Sequence, residues 1–205
     1  MVTGNPGAGK TTLALQFLYE GAKHGESGIF IAFDQKPSHV IEAAAGFACP
    51  AGSGGAITTL AGSPAVSLLR QGQHAIDARA VMSDLIPHIR ARAARRLVID
   101  VVSALVPPGL SDAAETDFLR DLVFALEDNA GCTTLLVACD GDARAARISG
   151  TLARLVTGVI DLRSRESEGR LRRYALVTKM RASRSDPMER EFVIDRTGVV
   201  MVNQV

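Results

Sequence analysis

Eight residues near the start of the chain, Gly4-Asn5-Pro6-Gly7-Ala8-Gly9-Lys10-Thr11, follow the pattern G-x-x-x-x-G-K-[ST] without departure. Glycines at those positions let a loop backbone approach a polyphosphate, and the first N–H groups of the helix that follows face its negative charge. Asn5, Pro6, Gly7, Ala8, Gly9, Lys10, Thr11 and Thr12 are therefore the candidate nucleotide-binding residues. Within them the backbone N–H groups of Gly7, Gly9 and Lys10 form the cradle, the Lys10 ammonium reaches the β- and γ-phosphates, and the Thr11 hydroxyl binds Mg2+. Such a site needs a carboxylate to complete the magnesium shell, and Asp100, at the end of the apolar run Leu97-Val98-Ile99, is the candidate. Asp34 ends another apolar run, Gly28 to Phe33, and is placed to polarise an attacking water; on spacing alone an Asx turn at Asp34-Gln35-Lys36-Pro37 explains it equally well.

The elements that must position these side chains alternate. Residues 11–23 carry Leu13, Ala14, Phe17, Leu18 and Ala22 at helical spacing, and Gly25 is placed to end the helix. Gly28 to Phe33 is the continuous apolar run of a strand buried on both faces of a parallel sheet. Residues 38–47 predict a helix, residues 49–55 a loop and residues 56–60 a weak strand. A helix is predicted over 78–95, bent or interrupted by Pro87, then a strand over 97–102, a Pro-Pro-Gly loop, a helix over 113–129 and a strand over 133–139. From Gly158 the pattern changes to four strand-like runs at 158–163, 171–179, 191–195 and 198–202. The expected fold is α/β, with a central mainly parallel sheet flanked by helices and an antiparallel C-terminal edge. Without a repeat or a long linker, residues 1–205 are expected to form a single domain.

Composition narrows the chemistry further. A chain of 205 residues, 47% hydrophobic and with a formal charge of +1, buries a full core and is not a protein that holds nucleic acid or anionic lipid by bulk charge. The charge is uneven, with 13 basic and 8 acidic residues after position 140. Cys49, Cys132 and Cys139 have neither disulfide-framework nor zinc spacing, and His24, His39, His74 and His88 have no metal spacing. No basic leader and no run of 18 apolar residues are present, so the expectation is a cytoplasmic protein without membrane contact.

Taken together, four stretches resemble the KaiC-like ATPases of the RecA superfamily. They are Gly4 to Gly21, Phe30-Ile-Ala-Phe-Asp-Gln-Lys-Pro37, Leu97-Val-Ile-Asp100, and Lys179-Met-Arg-Ala-Ser183 followed by Phe192-Val-Ile194 and Gly198. The resemblance implies a RecA-type ATP-binding core with Mg2+, assembled as a ring or filament with nucleotide between subunits. It also implies that Lys179 and Arg181 point at the γ-phosphate held by a neighbouring subunit. Read without it, Lys179-Met180-Arg181 is an alternating edge strand with solvated charges. Two departures bear on function. Asp34-Gln35 stands where the family usually has a Glu-Glu pair, so hydrolysis is expected to be slow or absent. Only Met1-Val2-Thr3 precedes the glycine-rich loop, where relatives carry a longer lead-in, so the first strand is expected to be a stub and the chain to be a fragment or to begin at an internal start.

The leading expectation is a regulatory ATPase whose nucleotide state controls contacts between copies. One alternative is a recombination accessory that binds single-stranded DNA through Arg144 and Arg147, although a solvated helix face balanced by Asp140 and Asp142 is favoured for those arginines. The other is a nucleotide-binding signalling or structural subunit that does not turn over.

Overall fold

The computed structural model describes residues 1–33, 39, 40, 42, 57–59 and 78–202. The helix expected over 38–47, the loop over 49–55, Asp34 and its neighbour Gln35, His74 and Cys49 lie outside those residues, apart from positions 39, 40 and 42. The described chain runs β1 (Val2–Gly4), α1 (Lys10–Lys23), β2 (Gly28–Ala32), β3 (Ile57–Thr59), α2 (Ala78–Ala91), β4 (Arg96–Asp100) and a 3-10 turn (Val102–Leu105). It continues through α3 (Asp112–Asn129), β5 (Thr133–Val137), α4 (Ala143–Leu155), β6 (Gly158–Ser167), β7 (Arg170–Met180), β8 (Arg190–Asp195) and β9 (Gly198–Met201).

The described strands form one sheet in the order β3-β2-β4-β5-β1-β6-β7-β8-β9. Every pairing from β3 to β6 is parallel, and those from β6 to β9 are antiparallel. The continuous apolar runs follow from burial on both faces. Ile29, Ile31, Leu97 and Ile99 pack on one side with Leu119, Leu122, Ile148 and Leu152 of α3 and α4. Phe30, Ala32 and Val98, the alternate positions of the same strands, pack on the other with Leu15 and Leu18 of α1 and with Phe192 and Val199 of the C-terminal hairpin.

Local differences from the sequence expectation have identifiable causes. Val101 and Val102 do not extend β4; the chain turns there so that Val102 and Leu105 bury their side chains beneath the sheet end. The apolar pattern could not separate a longer strand from a buried turn. Helix α2 stops at Ala91 but runs through Pro87, whose side chain faces outward while Leu85 and Ile89 point into the core. Strand β8 covers β7 only from Arg173 to Ala175, so among the described residues the stretch of β7 that carries Lys179 is paired with β6 alone. Among the described residues, no helix is long and apolar enough to cross a membrane.

Candidate nucleotide site

The chain leaves β1 at Gly4, makes a tight loop and enters α1 at Lys10, so the loop sits at the carboxyl end of a central parallel strand, where open α/β sheets present ligands. Gly4, Gly7 and Gly9 have φ of 138°, 79° and 101°, a region that residues with a Cβ seldom enter. The requirement is strictest at Gly4, where an added Cβ would overlap the carbonyl oxygen of Leu162 on the neighbouring strand β6.

Lys10 is 9% exposed, and its ammonium donates to the carbonyl oxygens of Gly4 (2.7 Å) and Asn5 (2.9 Å). It is thus held at the mouth of the loop by acceptors weaker than a phosphate oxygen. The Thr11 hydroxyl donates to Oδ2 of Asp100 at 2.7 Å, although 89 positions separate the two residues. β4 and β1 are next-but-one neighbours in the sheet, and helix α1 bridges them. The hydroxyl and the carboxylate expected to share a magnesium shell are therefore adjacent. Asp100 is joined to Val101 by a cis peptide bond.

Asp34 lies outside the described residues; the residue before it, Phe33, is buried and donates its N–H to the Asp100 carbonyl at 2.9 Å.

Lys179 and Arg181 lie at the opposite end of the sheet. Gly4 pairs with Leu162, whereas Lys179 pairs with Val159, three residues further back along β6. At about 3.3 Å per residue that offset is roughly 10 Å, directed away from the loop. Arg181 is exposed and Lys179 half-buried, as the edge-strand reading expects, yet both charges are engaged. Lys179 donates to the carbonyls of Ala153 (2.7 Å) and Arg154 (3.1 Å), and Arg181 to those of Leu155 (3.1 Å) and Arg154 (2.6 Å). These are the last carbonyls of α4, which have no partner within the helix and lie at its negative end. Burial, with help from the Arg181 charge, lowers the Lys179 pKa below the usual lysine value.

Arg144 and Arg147 are also not balanced as the sequence suggested. Asp142 caps α4 by accepting from the Ala145 N–H at 2.8 Å, and Asp140 accepts from the Thr3 hydroxyl at 3.2 Å. Both arginines turn instead to Glu115 in the first turn of α3, which is 3% exposed; Arg144 Nε meets Oε1 at 2.7 Å and an Arg147 amino group meets Oε2 at 3.0 Å. His24 and His39 are exposed, and among the described residues no group of three or more His, Cys, Asp or Glu could hold a metal ion.

Three features of the site had no local signal in the sequence. Strands β6 and β7 run on past the level of Gly4, and there the cross-strand pair Ser164 and Arg173 grips the loop. The Asn5 amide donates to Ser164 Oγ at 2.8 Å and accepts from the Ser164 N–H at 3.2 Å, while Arg173 Nε approaches the Gly7 carbonyl at 3.4 Å. From β8, Ile194 closes over the start of α1, its Cδ1 lying 2.8 Å from where a Cβ on Gly9 would be. Gln16 of α1 fastens β9 in place, donating to the Val199 carbonyl at 3.1 Å and accepting from its N–H at 2.7 Å. These contacts span more than 150 positions, so no window of sequence contains both halves.

Comparison with known proteins agrees with this architecture. The family described as "ATPase: KaiC" matches residues 1–205. A UPF0273 protein of Pyrobaculum aerophilum is 28% identical over 208 residues, 97% of this chain and 73% of its own length. The circadian clock oscillator protein KaiC 1 of Synechocystis is 50% identical over a shorter stretch of 48 residues, 23% of this chain and 9% of its own. The crystal structure of a KaiC-like protein from Pyrococcus horikoshii superposes with a TM-score of 0.74 at 27% identity, over 98% of this chain and 88% of that one. On the full-length family match, this chain belongs to the KaiC-type ATPase family.

Proposed function

We propose that this chain binds Mg-ATP in the loop from Asn5 to Thr12 and hydrolyses it slowly at an interface between copies of itself. Membership of an ATPase family supports ATP binding. The observation that carries the site is the 2.7 Å contact between Thr11 and Asp100 at the head of α1, beside a buried Lys10 held on two loop carbonyls. That set fits the ligands: a hydroxyl and a carboxylate are hard oxygen donors suited to Mg2+, and Gly7 leaves open space where a side chain would stand. Bound Mg2+ would neutralise phosphate charge. Lys10 would exchange its carbonyl acceptors for phosphate oxygens, and Thr11 and Asp100 would hold the metal's shell. Asp34 is the proposed orienter of the attacking water, and its short side chain with a neutral neighbour, Gln35, accounts for slow turnover.

Lys179 and Arg181 are proposed to act on the nucleotide of a neighbouring copy, because the strand register carries them away from their own loop. The DNA-binding alternative loses its motivation, since Arg144 and Arg147 are engaged with Glu115. Titration calorimetry with Mg-ATP on the wild type and on Lys10→Ala tests the site. The expected result is a loss of at least about tenfold in affinity, as a hydrogen bond to a charged group is worth about 1.5–3 kcal/mol. Unchanged affinity would place the nucleotide elsewhere. Steady-state phosphate release then separates a slow ATPase from a subunit that only binds.

A further inference from the structure

Helix α4 reaches strand β1 and the segment that follows β4, the two strands whose ends build the nucleotide site. Its Ser149 hydroxyl, 6% exposed, lies 2.9 Å from the hydroxyl of Thr3, the residue before Gly4. At its N-terminal turn Arg144 does two things with one guanidinium. Nε is paired with Glu115 at 2.7 Å, and an amino group donates to the carbonyls of Val106 (3.2 Å) and Pro107 (2.9 Å). Those carbonyls stand just past the 3-10 turn Val102–Leu105, on the segment that leaves β4 after Asp100. Val106 is itself buried, at 3% exposure, so the segment is fixed at both its packed and its polar side. Arg147 shares Glu115 but reaches Asp112 rather than that segment.

We propose that Arg144 is a positioning residue for the magnesium site: anchored by Glu115, it holds the exit segment of β4 and thereby sets where the Asp100 carboxylate stands relative to Thr11. The proposal rests on the reading of Asp100 as the magnesium carboxylate. A planar fork is needed for the task, because one group must serve a carboxylate and two carbonyls at once. A lysine retains the charge for Glu115 and cannot span the rest. A partner bonded to a metal ligand itself is typically worth about 10- to 100-fold in metal affinity, and Arg144, which acts through the intervening turn, belongs at the lower end.

The test measures how much Mg2+ tightens binding of a non-hydrolysable ATP analogue, taking the ratio of affinities with excess Mg2+ and with a chelator. It compares the wild type, Asp100→Asn, Arg144→Lys and Arg147→Lys. Binding without metal reports an intact fold and loop in each variant. The expected result is that Arg144→Lys reduces the metal ratio about tenfold while metal-free affinity stays at the wild-type value, and that Arg147→Lys leaves both unchanged. A full ratio in Arg144→Lys, with the ratio lost in Asp100→Asn, overturns the positioning role and leaves the Asp100 assignment standing. An equal loss in Arg144→Lys and Arg147→Lys overturns it too, since the cluster then acts only as structure. A full ratio in Asp100→Asn sinks the Asp100 assignment and this inference with it. Should Arg144→Lys also lose metal-free binding, the double variant Arg144→Met with Glu115→Gln, which removes one charge of each sign, takes its place with the same outcomes.

Discussion

Gly4 and Gly7 both sit at positive φ, yet a methyl group added to each meets different surroundings. At Gly7 nothing lies within 4 Å of the new atom, so an alanine there carries only the left-handed backbone penalty, about 1–2 kcal/mol. At Gly4 the methyl overlaps the Leu162 carbonyl, so β1 and β6 must separate or the loop must move, and the expected cost exceeds about 4 kcal/mol. Denaturant unfolding of Gly4→Ala and Gly7→Ala checks this, and equal midpoints would contradict it. The same contrast shows what a sequence discloses at this scale. The spacing of Gly4, Gly9, Lys10 and Thr11 is a local chemical pattern, visible in one window. That Gly4 is constrained by Leu162, or Asn5 gripped by Ser164, depends on which strand lies beside β1, and no residue near the loop records it.

Helices α3 and α4 meet through a buried carboxylate. Burial by itself raises the Glu115 pKa, but hydrogen bonds from Arg144 and then Arg147, with both positive charges, outweigh it and hold the group below the usual carboxylate range. A depressed native pKa means that the unfolded chain takes up the proton first as the solution is acidified. The stabilisation is therefore complete above the unfolded value, about 4.3, and is lost as pH falls through it toward the native value. Removing one partner of a buried pair costs about 3–5 kcal/mol, and the half-exposed arginines, which water can reach, favour the lower end. The stability difference between wild type and Glu115→Gln should be constant from neutral pH to about 5 and shrink below about 4. Denaturant midpoints across that range decide it, and a difference that grows on acidification would refute the assignment. The helices themselves were legible from apolar periodicity. Their mutual electrostatics were not, because the nearest acids in sequence to Arg144, Asp140 and Asp142, are taken up by Thr3 and by the helix cap.

At the scale of the whole molecule, the two ends of the sheet carry the two groups of residues proposed to share one chemistry. The loop, Lys10, Thr11 and Asp100 gather at the carboxyl end, and Lys179 and Arg181 rest on the last carbonyls of α4 at the other. The alternation of helix and strand made the parallel sheet readable, and the change of pattern after Gly158 made its antiparallel extension readable. The separation of the two halves became plain only from the register, in which Lys179 pairs with Val159 and Leu162 with Gly4. An offset of roughly 10 Å along the strands, pointing away from the loop, is more than a lysine side chain tied to α4 recovers within one chain. In a head-to-tail assembly that same end faces a neighbour's loop, which is the arrangement that lets a cation act in trans. Two defective chains should then complement each other. A Lys10→Ala copy lacks the loop cation but offers an intact Arg181, and an Arg181→Ala copy retains the loop. Mixing them creates some interfaces with both parts, so phosphate release should rise above that of either variant alone, toward a fraction of the wild-type rate. A cation supplied in this way is worth about 10³ to 10⁵ in rate where it operates, so even a minority of complete interfaces is measurable. The wild-type rate measured against Asp34→Asn sets the scale, and light scattering establishes that the two variants assemble together. Co-assembly without any gain in phosphate release would show that Lys179 and Arg181 serve only as the cap of α4, and the interfacial site would have to be abandoned.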